Sequence, residues 1–138
     1  MRRFIFASHH QLAYGLKDSV DFLTSNAKKI YDINAYMSDD ENDLTITIQN
    51  LFATFDKEDE VIVLVDLMGG SVYQKFFPYV NDHVHVICGM SLPLAMNFVL
   101  ASENQKFTTE KVASIVNESK NQIVYVNQID NFVGCDDE

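Results

Sequence analysis

Basic residues are scarce in this 138-residue chain: 10 Lys and Arg stand against 20 Asp and Glu, a formal charge of −10. Phosphate-rich surfaces need positive charge facing them, so this balance argues against nucleic acid and anionic membranes as partners. Cysteine is nearly absent. Cys88 and Cys135 make no spaced framework, and each is expected as a free thiol in a reducing compartment. Apolar runs are short as well. None reaches the ~18 residues needed to span a bilayer, and the apolar stretch that follows Met-Arg-Arg, residues 4–7, is too brief for the core of a signal peptide. The expectation is a soluble, cytoplasmic protein. No internal repeat, low-complexity segment or linker divides it, so residues 1–138 are read as a single domain.

What is there suits a compact core. A hydrophobic fraction of 47% is ample, and a chain of this size buries about two-thirds of its unfolded surface without disulfides or a structural metal. Strand and helix patterns alternate along it. Residues 3–8 read as a buried strand. From Gln11 to Asn26, the stripe Leu12, Leu16, Val20 and Leu23 reads as a helix. Residues 28–36 predict a second strand, and Leu44, Ile48, Leu51, Phe52 and Phe55 mark a helix over 43–55. Val61 to Asp66 is the clearest strand, apolar throughout, as expected of a parallel strand buried on both faces. A turn, Met68 to Ser71, leads into a short helix ending near Pro78. Residues 84–88 read as a fourth strand, with a helix from Pro93 to about Ser102 and another over 109–121, capped by Thr108 or Thr109. Residues 123–126 would be a last strand. The alternation predicts an α/β fold: a doubly wound, mostly parallel sheet with helices on both faces.

In such a sheet, ligands bind beyond the carboxyl ends of the strands. That rule selects Ser8-His9-His10 after the first strand, Asp66 to Ser71 after the third and Gly89 to Pro93 after the fourth. If the first and third strands are neighbours, an imidazole meets a carboxylate. A carboxylate bonded to one ring nitrogen fixes the tautomer and frees the other nitrogen's lone pair for attack. Asp66 would orient and His9 would be the nucleophile. Gly69 and Gly70 let backbone N–H groups face an anion, and Ser71 adds a hydroxyl at the start of a helix, so the three together would cradle a phosphoryl group carried on histidine. Taken singly, His9 reads equally as a satisfied strand-end histidine, and the Asp-Gly-Gly turn as a simple helix lead-in. Their coincidence at strand ends favours a site. His10 could line the same crevice. A receiver-type phosphoacceptor would need a carboxylate cluster where this chain has Ser8-His9-His10. His83 and His85 would share a strand face and so could meet a metal, but no third ligand stands nearby, and solvated histidines are the simpler reading. No metal or cofactor is expected.

These residues resemble the EIIA component of the mannose/fructose/sorbose family of the bacterial phosphoenolpyruvate-dependent sugar phosphotransferase system (PTS). Phe4 to Leu16 is similar to the family's strand, active histidine and first helix. Val63 to Ser71 is similar to its strand-Asp-x-x-Gly-Gly-Ser signature, and Val86 to Pro93 to the strand ending in Gly-x-Asn-Ile/Leu-Pro. The resemblance implies a phosphotransferase in which His9 is phosphorylated, Asp66 orients it and Ser71 lies by the phosphate. The register counted back from Leu12 selects His9 over His10. The phosphoryl group would come from HPr and pass to EIIB, and through it to sugar entering by the membrane components EIIC and EIID. The implied fold has four parallel strands, with residues 123–126 as a further strand exchanged across a homodimer. The first helix resembles chains serving amino sugars such as N-acetylgalactosamine, while mannose, fructose and sorbose stay open.

Two positions depart from the family. His10 stands where Gly is usual, and Ser91-Leu-Pro93 replaces Asn-Ile/Leu-Pro, so His10, Ser91 and Pro93 are candidates for a secondary pocket. Two alternatives remain at this level: the EIIA-like domain of a dihydroxyacetone kinase system, and a non-catalytic domain binding a ligand or metal on the same fold. Eleven of the 20 acidic residues fall in three patches, at Asp39 to Asp43, Asp56 to Glu60 and Asp136 to Glu138. None lies in the crevice loops, where Asp66 is the only carboxylate.

Overall fold

The structure, a computed structural model, describes residues 1–38 and 44–129. Cys135 and the acidic patches at 39–43 and 136–138 lie outside the described residues. Four strands, β1 (Arg2–His9), β2 (Ile30–Ala35), β3 (Glu60–Val65) and β4 (Val84–Cys88), form one parallel sheet in the order β2-β1-β3-β4. Between and after them run α1 (Leu12–Thr24), α2 (Leu44–Ala53), α3 (Ser71–Phe76), α4 (Leu92–Val99) and α5 (Thr109–Lys120).

The central strands explain the continuous apolar runs. Side chains alternate between the two faces of a strand, and both faces are covered here. Phe4, Phe6, Ile62, Leu64 and Ile87 pack under α1, α4 and α5. Ile5, Ala7, Val61, Val63 and Val65 pack under α2 and α3. All of residues 61–65 are at most 2% exposed, as a strand buried on both faces should be.

Helix ends follow local chemistry. The Thr108 hydroxyl accepts the Lys111 N–H at 3.1 Å and so caps α5. The short α3 ends in a single 3₁₀ turn, Phe77–Tyr79, which contains Pro78.

Three expectations are corrected. The buried face of α1 is Ala13, Leu16 and Val20, whereas Leu12 and Leu23 are about half exposed. Small Ala13, its N–H tied to the buried Ser8 hydroxyl at 2.7 Å, brings the helix close to β1 and rotates the stripe. Residues 123–126 form no strand in this chain. They run irregularly into a 3₁₀ turn at Val126–Gln128, Ile123 is 87% exposed, and among the described residues no strand pairs with them. His83 precedes β4, which starts at Val84, so the two histidines do not share a strand face. Among the described residues no group of three His, Cys, Asp or Glu is arranged to hold a metal, and no helix is long and apolar enough to cross a membrane.

Candidate phosphoryl-transfer site

The chain leaves β1 toward β2 on one side and later returns to place β3 on the other. The crevice of a doubly wound sheet opens at that reversal, above the carboxyl ends of the two strands. His9 is the last residue of β1, and Asp66 follows β3 directly.

One oxygen of Asp66 holds His9 twice. Oδ2 accepts the His9 backbone N–H at 2.8 Å and lies 2.9 Å from ring Nδ1. The other oxygen, Oδ1, accepts the Leu67 N–H at 2.9 Å. Burial of Asp66 opposes its ionisation, but the His9 backbone N–H, the His9 ring and the Leu67 N–H outweigh it and hold the carboxyl below its usual range. An ionised carboxylate only accepts, so Nδ1 carries a proton, and in the neutral ring the lone pair is on Nε2. The His9 side chain is 37% exposed against 9% for Asp66, which puts the nucleophile at the surface and its orienter beneath.

Gly69 has φ +77°, a backbone region that side chains disfavour. Gly70 lies against the imidazole edge: a Cβ there would be in ordinary van der Waals contact with His9 Cε1 at 3.4 Å and Nε2 at 3.9 Å. Gly70 is also the N-cap of α3 and brings no side chain of its own to the first-turn N–H groups.

The secondary residues divide. His10 is exposed and adopts φ 57°. Its N–H bonds the Ala35 carbonyl at 2.7 Å, and its own carbonyl accepts from the Ser8 hydroxyl at 3.1 Å. The left-handed turn explains why the resembling family carries Gly there. Ser91 is the N-cap of α4. Its Oγ accepts the Leu94 N–H at 3.3 Å, and the residue lines an apolar groove with Leu12, Leu16, Met90 and Leu92. Pro93 lies in the first turn of that helix.

Two residues given no role in the sequence belong to the site. Tyr36 follows β2, stacks on the His9 imidazole with ring centroids 5.4 Å apart at 22°, and shares a hydrogen bond with the Ser71 hydroxyl. Applying the strand-end rule to β2 would have found it. Ser8, fully buried, ties the loop carrying His10 to the start of α1. A polar residue inside an apolar run was its signal. Cys88 is a half-buried free thiol, pushed up by burial and then by the charge of Asp66.

His9 does not line the largest cavities. Those of about 560 and 600 Å³ lie at the amino ends of the strands, around Arg2 and Glu103. An open nucleophile suits a reactant borne on another macromolecule better than an enclosed small molecule.

A family model for EIIA-man, the fructose IIA component of the PTS, matches residues 3–116. Among solved structures, a protein from Klebsiella pneumoniae described as a phosphoenolpyruvate-dependent sugar PTS permease is 34% identical, with a TM-score of 0.82 and 92% of each chain covered. The PTS IIA protein associated with the fucose utilization operon of Streptococcus pneumoniae is 25% identical, with a TM-score of 0.74 over 92% of this chain and 94% of that one. The mannose/sorbose-specific IIA subunit of Enterococcus faecalis, 14% identical, shares the fold at a TM-score of 0.77 over 89% of this chain and 92% of its own.

Proposed function

The chain belongs to the EIIA-man family of PTS components, and from that premise we propose that it is a cytoplasmic phosphohistidine carrier, taking a phosphoryl group from HPr on Nε2 of His9 and passing it to an EIIB partner. The observation that carries this reading is the contact between His9 Nδ1 and Asp66 Oδ2 at 2.9 Å on a surface-exposed ring. It fixes the ring so that Nδ1 donates to the carboxylate and Nε2 faces outward.

The chemistry needs little else. The Nε2 lone pair forms the N–P bond as the bond from phosphorus to the donor breaks, the electron pair leaving with the donor. The ring keeps its Nδ1 proton and becomes positive, which the adjacent Asp66 carboxylate stabilises. Attack by an EIIB nucleophile reverses the step and restores the neutral ring. Gly69, Gly70 and Ser71 would receive the phosphoryl oxygens. Exposed Tyr36, Met37, Leu67 and Met68 on the loops at the carboxyl end of the sheet, with Leu12 at the start of α1, offer both partners an apolar surface.

The sugar, entering through EIIC and EIID, would be of the mannose class or an amino sugar such as N-acetylgalactosamine. Residues 123–126 would complete the sheet of a second copy in a homodimer.

Incubation with phosphoenolpyruvate, enzyme I and HPr should give one acid-labile phosphate, lost in His9→Ala and kept in His10→Ala. In Asp66→Ala, losing hydrogen bonds to a charged group worth about 1.5–3 kcal/mol should slow labelling roughly 10- to 100-fold. Label on His10 alone, or full-rate labelling of Asp66→Ala, would refute the assignment.

A further inference from the structure

Tyr36 leaves β2 with φ 63°, a conformation that a bulky side chain rarely adopts. That turn lays its ring over the His9 imidazole and brings its hydroxyl to the hydroxyl of Ser71. Ser71 directly follows Gly70, the residue against which the Cε1–Nε2 edge of His9 lies. Two hydroxyls from different loops therefore meet beside the reactive edge of the imidazole. Stacking alone would be served by phenylalanine; the hydroxyl serves the Ser71 contact.

A phosphoryl group on Nε2 brings oxygens that need donors. The six-residue α3 supplies only a short run of aligned peptide dipoles, so nearby side-chain donors matter more. Each hydroxyl has one proton to give, and in the free protein one of the two gives it to the other.

We propose that Tyr36 and Ser71 form a hydroxyl clasp, closed on itself in the free protein and opening to donate both O–H groups to the phosphoryl oxygens on His9, with the Tyr36 ring holding the imidazole in place. This rests on the carrier reading of His9. Tyr36 is thereby a phosphoryl-binding residue. No proton is transferred to or from it. Its hydrogen bonds draw on charge that would otherwise help expel the imidazole, so the clasp retards loss of the phosphoryl group to water.

The test compares wild type, Tyr36→Phe and Ser71→Ala, phosphorylated by two routes: phospho-HPr, and the small-molecule donor phosphoramidate. Tyr36→Phe keeps the stack and removes only the donor. The phosphohistidine half-life should fall about tenfold, the size of one charge-assisted hydrogen bond. The ³¹P resonance of phospho-His9 should move, while the circular dichroism of the free protein stays unchanged. Equal half-lives and an unmoved resonance in Tyr36→Phe would overturn the clasp. If phosphoramidate labels wild-type His9 but phospho-HPr does not, the carrier reading fails and the clasp is judged on the chemically labelled protein. If neither donor labels His9, both fail.

Discussion

At the residue scale, Ser8 does more for the site than its size suggests. It ends the apolar part of β1 with no exposed surface, accepts the Ala13 N–H at 2.7 Å and donates to the His10 carbonyl at 3.1 Å. It thus fixes both flanks of His9: the left-handed corner at His10 and the start of α1. A buried polar group deprived of its partner costs about 1–3 kcal/mol. Ser8→Ala, which fits the space but orphans both groups, should lower the free energy of unfolding by that amount in urea titration. A loss below about 0.5 kcal/mol, the usual range of an uninvolved position, would mean water replaces the hydroxyl and the loop is held elsewhere. The His10 corner adds its own strain, since a left-handed residue other than Gly costs about 1–2 kcal/mol. Two short hydrogen bonds at that corner offset it.

At the scale of elements, β4 and residues 123–126 present matching needs. Among the described residues β4 pairs with β3 alone, and an uncovered parallel edge invites association. Ile123 and Tyr125 are 87% and 63% exposed. If each copy's segment covers the other's edge, the solution mass should be twice the 15.7 kDa of one chain, and Ile123→Lys with Tyr125→Lys should shift it toward the single-chain value. A single-chain mass for the unaltered protein would sink the exchange. The same segment shows where sequence reading stops. Its β-rich residues announce a strand, but a strand exists only with a neighbour, and one chain does not supply it. By contrast β3 and the Ile48 face of α2 were legible because burial on two faces, or on one, writes its period into the residues. Within the site, His9, Asp66 and the glycines were legible through strand-end placement. Tyr36 was not, because its role comes from one left-handed turn and a residue 35 positions away, which no local pattern encodes.

At the scale of the whole molecule, the two ends of the sheet divide the labour. Among the described residues, the carboxyl end holds one carboxylate, Asp66, in the crevice; the amino end turns part of an acidic patch into structure. Arg2 Nε meets Glu60 at 3.1 Å while its guanidinium lies 3.9 Å over the Phe107 ring, and Glu60 also accepts the Phe107 N–H at 2.6 Å, tying the approach to α5 onto β1 and β3. Beside them Arg3 Nε meets Asp59 Oδ2 at 2.9 Å, and that carboxylate is 3% exposed. Burial opposes its ionisation, yet Arg3 and the Asp56 N–H outweigh burial and hold its carboxyl below the usual range. A group so depressed contributes stability that is present above its unfolded pKa, about 3.9, and is lost as pH falls through its lower folded value. Arg3→Ala leaves Asp59 with the N-terminal ammonium and the Asp56 N–H, so losing the charged hydrogen bond to Arg3 should cost about 1.5–3 kcal/mol at neutral pH. The deficit should narrow below about pH 4, where Asp59 takes a proton and no longer needs its partner. A deficit equal at pH 7 and pH 3 would mean that lost packing, rather than the ion pair, is responsible. Because Arg3 and His9 are six residues apart on one strand, roughly 20 Å, the folded fraction of Arg3→Ala should still accept phosphate at the wild-type rate, and a slowed rate would show that the two ends of the sheet are coupled.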